Sequence, residues 1–95
     1  MRKTIHTPEY VMIRDILRAV RRKAGLSQRD IAARLKVLPS WVAKVELMER
    51  RVDIVELVRI LHACGADVDA ALAQVVQAIP VVDEPRLRKR GRGTN

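Results

Sequence analysis

Phenylalanine is missing from this chain of 95 residues, which carries one tryptophan, Trp41, and one tyrosine, Tyr10. A core without large rings must be made of Leu, Ile, Val and Ala, and a chain this short buries roughly 60 to 65% of its unfolded surface. One small domain, modestly stable as a monomer, is expected. Cys64 is the single cysteine, so no intrachain disulfide framework exists, in keeping with a reducing cytosol. Long apolar runs are also lacking. The longest uncharged stretch, Ala70 to Val82, is broken by Gln74, Gln77 and Pro80 and falls short of the roughly 20 apolar residues of a membrane span. No secretory signal precedes the first helix.

The same scarcity removes most enzyme classes. His6 and His62 lie far apart, and Cys64 is two residues from His62, with no further ligands to complete a zinc spacing. There is no glycine-rich phosphate loop and no nucleophile elbow. Catalysis is not expected, nor is a cofactor or metal. His62 and Cys64 read as ordinary packing or surface residues.

Acidic residues are few, 11 against 19 Lys and Arg, and their placement matters more than the total. Residues 1–52 hold 13 basic and 5 acidic side chains, residues 53–79 hold 1 and 4, and residues 80–95 hold 5 and 2. A polyanion therefore has a docking side in the first half of the chain, and the later, acidic helices have reason to sit away from it.

That basic half contains GLSQRDIAARLKVLPSWVAKVE, from Gly25 to Glu46, which reads as two short helices around a tight turn. Ser27 is suited to cap the first, with Asp30 placed favourably for the helix dipole and Ile31, Ala32 and Leu35 on one face. Lys36, Val37 and Leu38 make the turn. Pro39, with its fixed φ and missing N–H, starts the second helix. Val42 and Val45 point to the core, leaving Ser40, Trp41, Ala43 and Lys44 on outward faces where side chains can meet base edges in a major groove about 12 Å wide.

Five helices follow in all. Thr7-Pro8-Glu9 starts the first, which carries Ile13, Ile16, Leu17, Val20 and Ala24 at helical spacing up to Gly25. Asp53 and Glu56 resemble a capping box for the fourth, with Leu57, Val58 and Leu61 inward and Gly65 at its end. Asp67 caps a fifth, over residues 67–79. Its apolar residues Val68, Leu72, Val75, Val76 and Ile79 cover more than one narrow stripe, a surplus that a small monomer cannot bury completely. Residues 1–7 are expected to form a flexible arm, residues 8–79 the domain, and residues 80–95 a basic tail that is disordered in isolation.

The combination Leu26-Ser27-Gln28, Ala32, Leu35, Val42, Lys44-Val45-Glu46 and Arg50-Arg51 resembles the Xre or Cro-like family of phage and bacterial helix-turn-helix repressors, over about Tyr10 to Val76. Lys36 and Met48 depart from it, standing where the family usually has glycine, at positions that often take positive φ. The resemblance implies an all-α, compact, five-helix lambda-repressor-like fold.

It also implies a contact set, with the helix-turn-helix at about residues 27–47. Gln28 is placed to offer its side-chain amide and nearby backbone N–H groups to a phosphate, the family's common use of this glutamine. Arg29 suits a phosphate or open solvent equally. Lys44 can donate to guanine O6 or N7, or bind a phosphate without reading sequence. Ser40 suits a base or a phosphate, and Ala43 a thymine methyl. Trp41 suits either partial burial or a groove contact. Arg50 and Arg51 occupy positions where the family usually binds phosphates. Glu46, whose charge would repel them, is assigned to holding the fold.

The implied function is that of a transcriptional regulator acting in the cytoplasm: a homodimeric repressor binding a near-palindromic double-stranded DNA operator, associated through Val75, Val76 and Ile79, with Val81 and Val82 adjoining. No small-molecule effector is expected. Two other functions fit the same fold, an antitoxin that represses its operon and binds a toxin, and an adaptor that contacts polymerase or another regulator. Arg86 to Arg92 suit either non-specific nucleic-acid contact or solubility. A phage or mobile-element origin accords with the family.

Overall fold

A computed structural model describes residues 6–81, and the expectations for the terminal arm at residues 1–5 and for the tail at residues 82–95, including Val82, lie outside the described residues. Five helices follow in order: α1 Pro8–Lys23, α2 Gln28–Leu35, α3 Pro39–Glu46, α4 Ile54–Ala63 and α5 Val68–Ala78. No strand occurs among the described residues.

Each helix begins where local chemistry can satisfy its open N–H groups. Thr7 Oγ1 accepts from Tyr10 N at 3.2 Å, with Pro8 in the first turn of α1. Ser27 and Asp30 form a reciprocal capping box, as do Asp53 and Glu56. Asp67 caps α5 through Ala70 N at 3.1 Å. The exception is α3, whose N-cap is Leu38 and which has no side-chain cap.

Two turns that lack glycine do take the left-handed conformation: Lys36 has φ 61° and Met48 φ 62°. A side chain there costs roughly 1–2 kcal/mol of crowding against the backbone. Lys36 is exposed, so Lys36→Gly removes the crowding and little else. Its expected effect is a gain of about 0.5–1 kcal/mol after the added freedom of the unfolded glycine is counted, seen as a thermal midpoint raised by a few degrees. Met48 is buried, and Met48→Gly should destabilise, because removing the packing of a buried methionine outweighs the relief.

The core joins all five helices through aliphatic side chains. Leu61 and Ile31 are fully enclosed, and Ile16, Leu17, Ala32, Val42, Val45, Leu57, Ile60, Cys64 and Ala71 complete the cluster. Two expectations need correction. Ala24, assigned to the α1 stripe, is exposed because the helix has already ended at its C-cap. Ile60 takes a fully buried position on α4, while Val58 is half-buried. On α5 the deepest residue is Ala71, small enough for close approach of the helix, whereas Val68, Leu72 and Val75 are only partly covered.

Polar ties across the packing fix the helices further. Val52 N donates to Tyr10 Oη at 2.8 Å, anchoring the α3–α4 loop on α1. Arg34 Nη1 donates to Ala63 O at 2.6 Å, joining α2 to the end of α4. Burial pushes the Cys64 thiol above its ordinary pKa, which keeps it protonated and poorly nucleophilic.

Candidate nucleic-acid interface

One buried carboxylate ties the end of α3 to α1 and α2. Glu46 Oε2 accepts from Arg21 Nε at 2.6 Å, and Oε1 accepts from Arg21 Nη2 at 2.9 Å and from Gln28 Nε2 at 3.0 Å. Arg18 Nε stands 3.5 Å from Oε1. The Glu46 carbonyl oxygen, at the end of α3, also accepts from Arg14 Nη1 at 3.1 Å and Arg18 Nη2 at 3.0 Å. Arg14, Arg18 and Arg21 recur at helical spacing on α1, so one basic stripe grips both the side chain and the negative end of the helix dipole. Burial pushes the Glu46 carboxyl upward, but hydrogen bonds from Arg21 and Gln28 and the charges of Arg21 and Arg18 outweigh it. It therefore lies below the ordinary carboxylate value.

With Val42, Val45 and Glu46 sealed inward, the helical period decides what faces out. Ser40 and Lys44 are exposed and Ala43 is half-buried. An open depression of about 580 Å³ runs between the starts of α2 and α3, lined by Arg21, Ser27, Gln28, Arg29, Pro39, Ser40 and Ala43. Four of the expected contact residues, Gln28, Arg29, Ser40 and Ala43, thus share one surface, and Lys44 follows on the next position of α3. At the start of α3, where Pro39 has no N–H and Trp41 N donates to Leu38 O at 2.9 Å, the Ser40 N–H adds a donor that favours an anion.

Three of the expected contact residues have partners inside the fold. Trp41 turns away from the outer face and packs half-buried against the core, beside Leu35, Val37, Glu56 and Arg59. Arg50 lies over its ring at 4.8 Å and pairs with Glu56 through Nη2 at 2.6 Å. That guanidinium clasps the α3–α4 loop to α4 through the stacking and the ion pair, while its buried Nε has no hydrogen-bond partner among the described residues. Gln28 has one amide N–H engaged by Glu46. Its remaining amide N–H and the α2 backbone are what it can offer a phosphate. Arg51 is exposed, with its guanidinium 5.5 Å from the Tyr10 ring centre.

Two further exposed apolar residues, not assigned a contact from the sequence, stand at the two ends of α3. Leu47 follows Ser40 by seven positions, so it lies on the same helical face, two turns along. Leu38 precedes Pro39 at the N-cap. Extending the helical wheel one residue past Glu46 would have revealed Leu47, whereas nothing in the spacing marks Leu38.

A family profile described as a helix-turn-helix domain matches residues 14–75, a span that contains every one of these elements from the α1 clamp to α5. A solved structure described as an XRE-family like protein from Pseudomonas syringae pv. tomato str. DC3000 is 37% identical, with 82% of this chain and 95% of that chain covered and a TM-score of 0.73. The chain belongs to the Xre-type helix-turn-helix family. As a member it is a DNA-binding transcriptional regulator and not an enzyme. The clp gene regulator ClgR from C. glutamicum shares the fold, at 24% identity and a TM-score of 0.62, with 75% of this chain and 92% of that one covered. No curated protein matches the chain. Among the described residues no helix is long and apolar enough to cross a membrane.

Proposed function

We propose that this Xre-family protein is a cytoplasmic homodimeric repressor that places α3 in the major groove of each half of a near-palindromic operator. The observation that carries this reading is the outward presentation of Ser40, Ala43 and Lys44 beside Gln28 and Arg29, in the half of the chain that holds most of the positive charge. Lys44 donates to guanine, Ser40 to a base or phosphate, and Gln28, Arg29 and Arg51 hold the backbone. Half-sites would lie about 34 Å apart.

Dimerisation through α5 is supported by its uncovered apolar surface: Val76 is 69% exposed, Ile79 46% and Val81 93%. Val75, partly covered by the core, borders the same face. Sedimentation at micromolar concentration without DNA is expected to show dimers that Val76→Asp and Ile79→Asp convert to monomers. A monomeric wild type that copurifies with a small protein encoded beside it would favour the antitoxin reading, since the same apolar surface suits a toxin.

Genome-wide mapping of bound sites followed by footprinting of the strongest tests the operator reading directly. Protection of two half-sites one helical turn apart, overlapping a promoter, is the expected result. Arg29→Ala should then flatten the log–log salt dependence of binding by about 0.9 for each phosphate no longer neutralised, or about 1.8 for a dimer. An unchanged slope would assign Arg29 to solvent.

A further inference from the structure

Hydrogen-bonding capacity is scarce on the outer face of α3. Ser40, Ala43, Lys44 and Leu47 fall within an arc of about 100° on the helix, and only Ser40 and Lys44 can hydrogen-bond. Leu47 is 61% exposed, and Leu38, at the other end of the helix, is 72% exposed. Leu47 keeps the right-handed helical conformation, with φ −85° and ψ −1°, so its side chain continues the face rather than leaving it. No Asn, Gln or Arg stands among residues 38–47. The paired donor and acceptor that reads adenine N6 and N7 is therefore missing from this helix, and so is the guanidinium fork that reads guanine.

We propose that the half-site is recognised chiefly through thymine methyl groups, which Leu47 and Ala43 contact while Lys44 and Ser40 supply the few hydrogen bonds. This rests on the operator reading given above. In the major groove the thymine C5-methyl is the one apolar feature that a base edge presents. The seven steps from Ser40 to Leu47 rise about 10 Å, the length of about three base pairs along one strand. The occupant is nucleic acid rather than an apolar protein surface because Ala43 and Ser40, which share the helical face of Leu47, line one depression with Arg29 and Gln28, and Lys44 adjoins them, in a segment with a large excess of positive charge.

The test uses the full-length protein and the duplex selected by footprinting, with each thymine of the half-site replaced in turn by deoxyuridine, which lacks only the methyl group. Each contacted methyl should cost about fourfold in affinity, the value of one buried carbon group, and 5-bromouracil, which restores the bulk, should recover it. Leu47→Ala, at an exposed position, should weaken binding to the thymine duplex several-fold yet leave the two duplexes indistinguishable at the base that Leu47 touches. A thermal melt confirms that the variant is folded. Specific binding that is indifferent to uracil at every position overturns the methyl reading while leaving the operator reading intact. Unchanged affinity of Leu47→Ala also overturns it and assigns the face to another partner. Failure to select any duplex overturns both.

Discussion

Glu46→Gln is expected to remove about 3–5 kcal/mol of stability, because deleting one member of a buried ion pair leaves the other charged and inadequately partnered. Glu46 and Arg21 have side chains only 6% and 12% exposed, so solvent cannot take over. Glutamine keeps the shape and one acceptor oxygen, but Arg21, Gln28 and Arg18 then compete for it. Against the roughly 5–10 kcal/mol that a domain of this size commands in total, such a deficit removes about half. The urea midpoint should fall steeply at unchanged slope, with a thermal midpoint lower by on the order of 20 °C. Replacing both members, Arg21→Met with Glu46→Leu, should be milder than Glu46→Gln alone, since the more deeply buried cation leaves with its partner and only Arg18, whose side chain is 30% exposed, keeps a charge there. A deficit under about 1 kcal/mol for Glu46→Gln would mean that water screens the pair as it does surface ion pairs.

Acid should reproduce part of that deficit in the wild type. The folded carboxyl of Glu46 lies below its ordinary value, whereas the unfolded one titrates near 4.3. Its contribution is accordingly complete above about pH 4.3 and disappears as pH falls through the lower folded value. Glu46→Gln should show a shallower decline of stability in that acid range. Some slope will persist, because Asp30, held by hydrogen bonds from Ser27, is also lowered.

Ser40→Asp is expected to weaken operator binding by at least about 100-fold with no cost in folding, since like charges brought together at an interface cost several kcal/mol. Ser40 is exposed in the first turn of α3, a helix without a side-chain cap or an acidic residue there. A carboxylate at that end of a helix is favourable, worth about 0.3–1 kcal/mol. Folding and DNA binding should therefore move in opposite directions, which few substitutions accomplish. The thermal midpoint and the dissociation constant, measured on the same preparation, decide the matter. Retained affinity would remove α3 from the groove and with it the proposed mode of reading.

The helices were legible because their signals are local. Thr7-Pro8, the Ser27–Asp30 and Asp53–Glu56 pairs and the two glycines are each set by a few adjacent residues, and the structure contains all of these caps. Glu46 was also legible in kind, as a carboxylate that had no business beside phosphates. What the sequence did not show were the contacts made with distant partners. Arg50 looks like a free cation until Glu56 and the Trp41 ring are brought alongside. Trp41 sits at the edge between the inner and outer faces of α3, and the neighbouring α4 tips it inward. Gln28 is eighteen residues from the carboxylate that engages it, a pairing that no helical period reveals.

The inward tilt of Trp41 has a practical consequence. As the chain's single indole, wedged beneath Arg50 where the α3–α4 loop meets α4, it is an intrinsic fluorophore whose emission reports on one known place. Loosening of that loop during denaturation would shift its spectrum toward the red, so optical titrations can follow the seating of α3 without any attached dye.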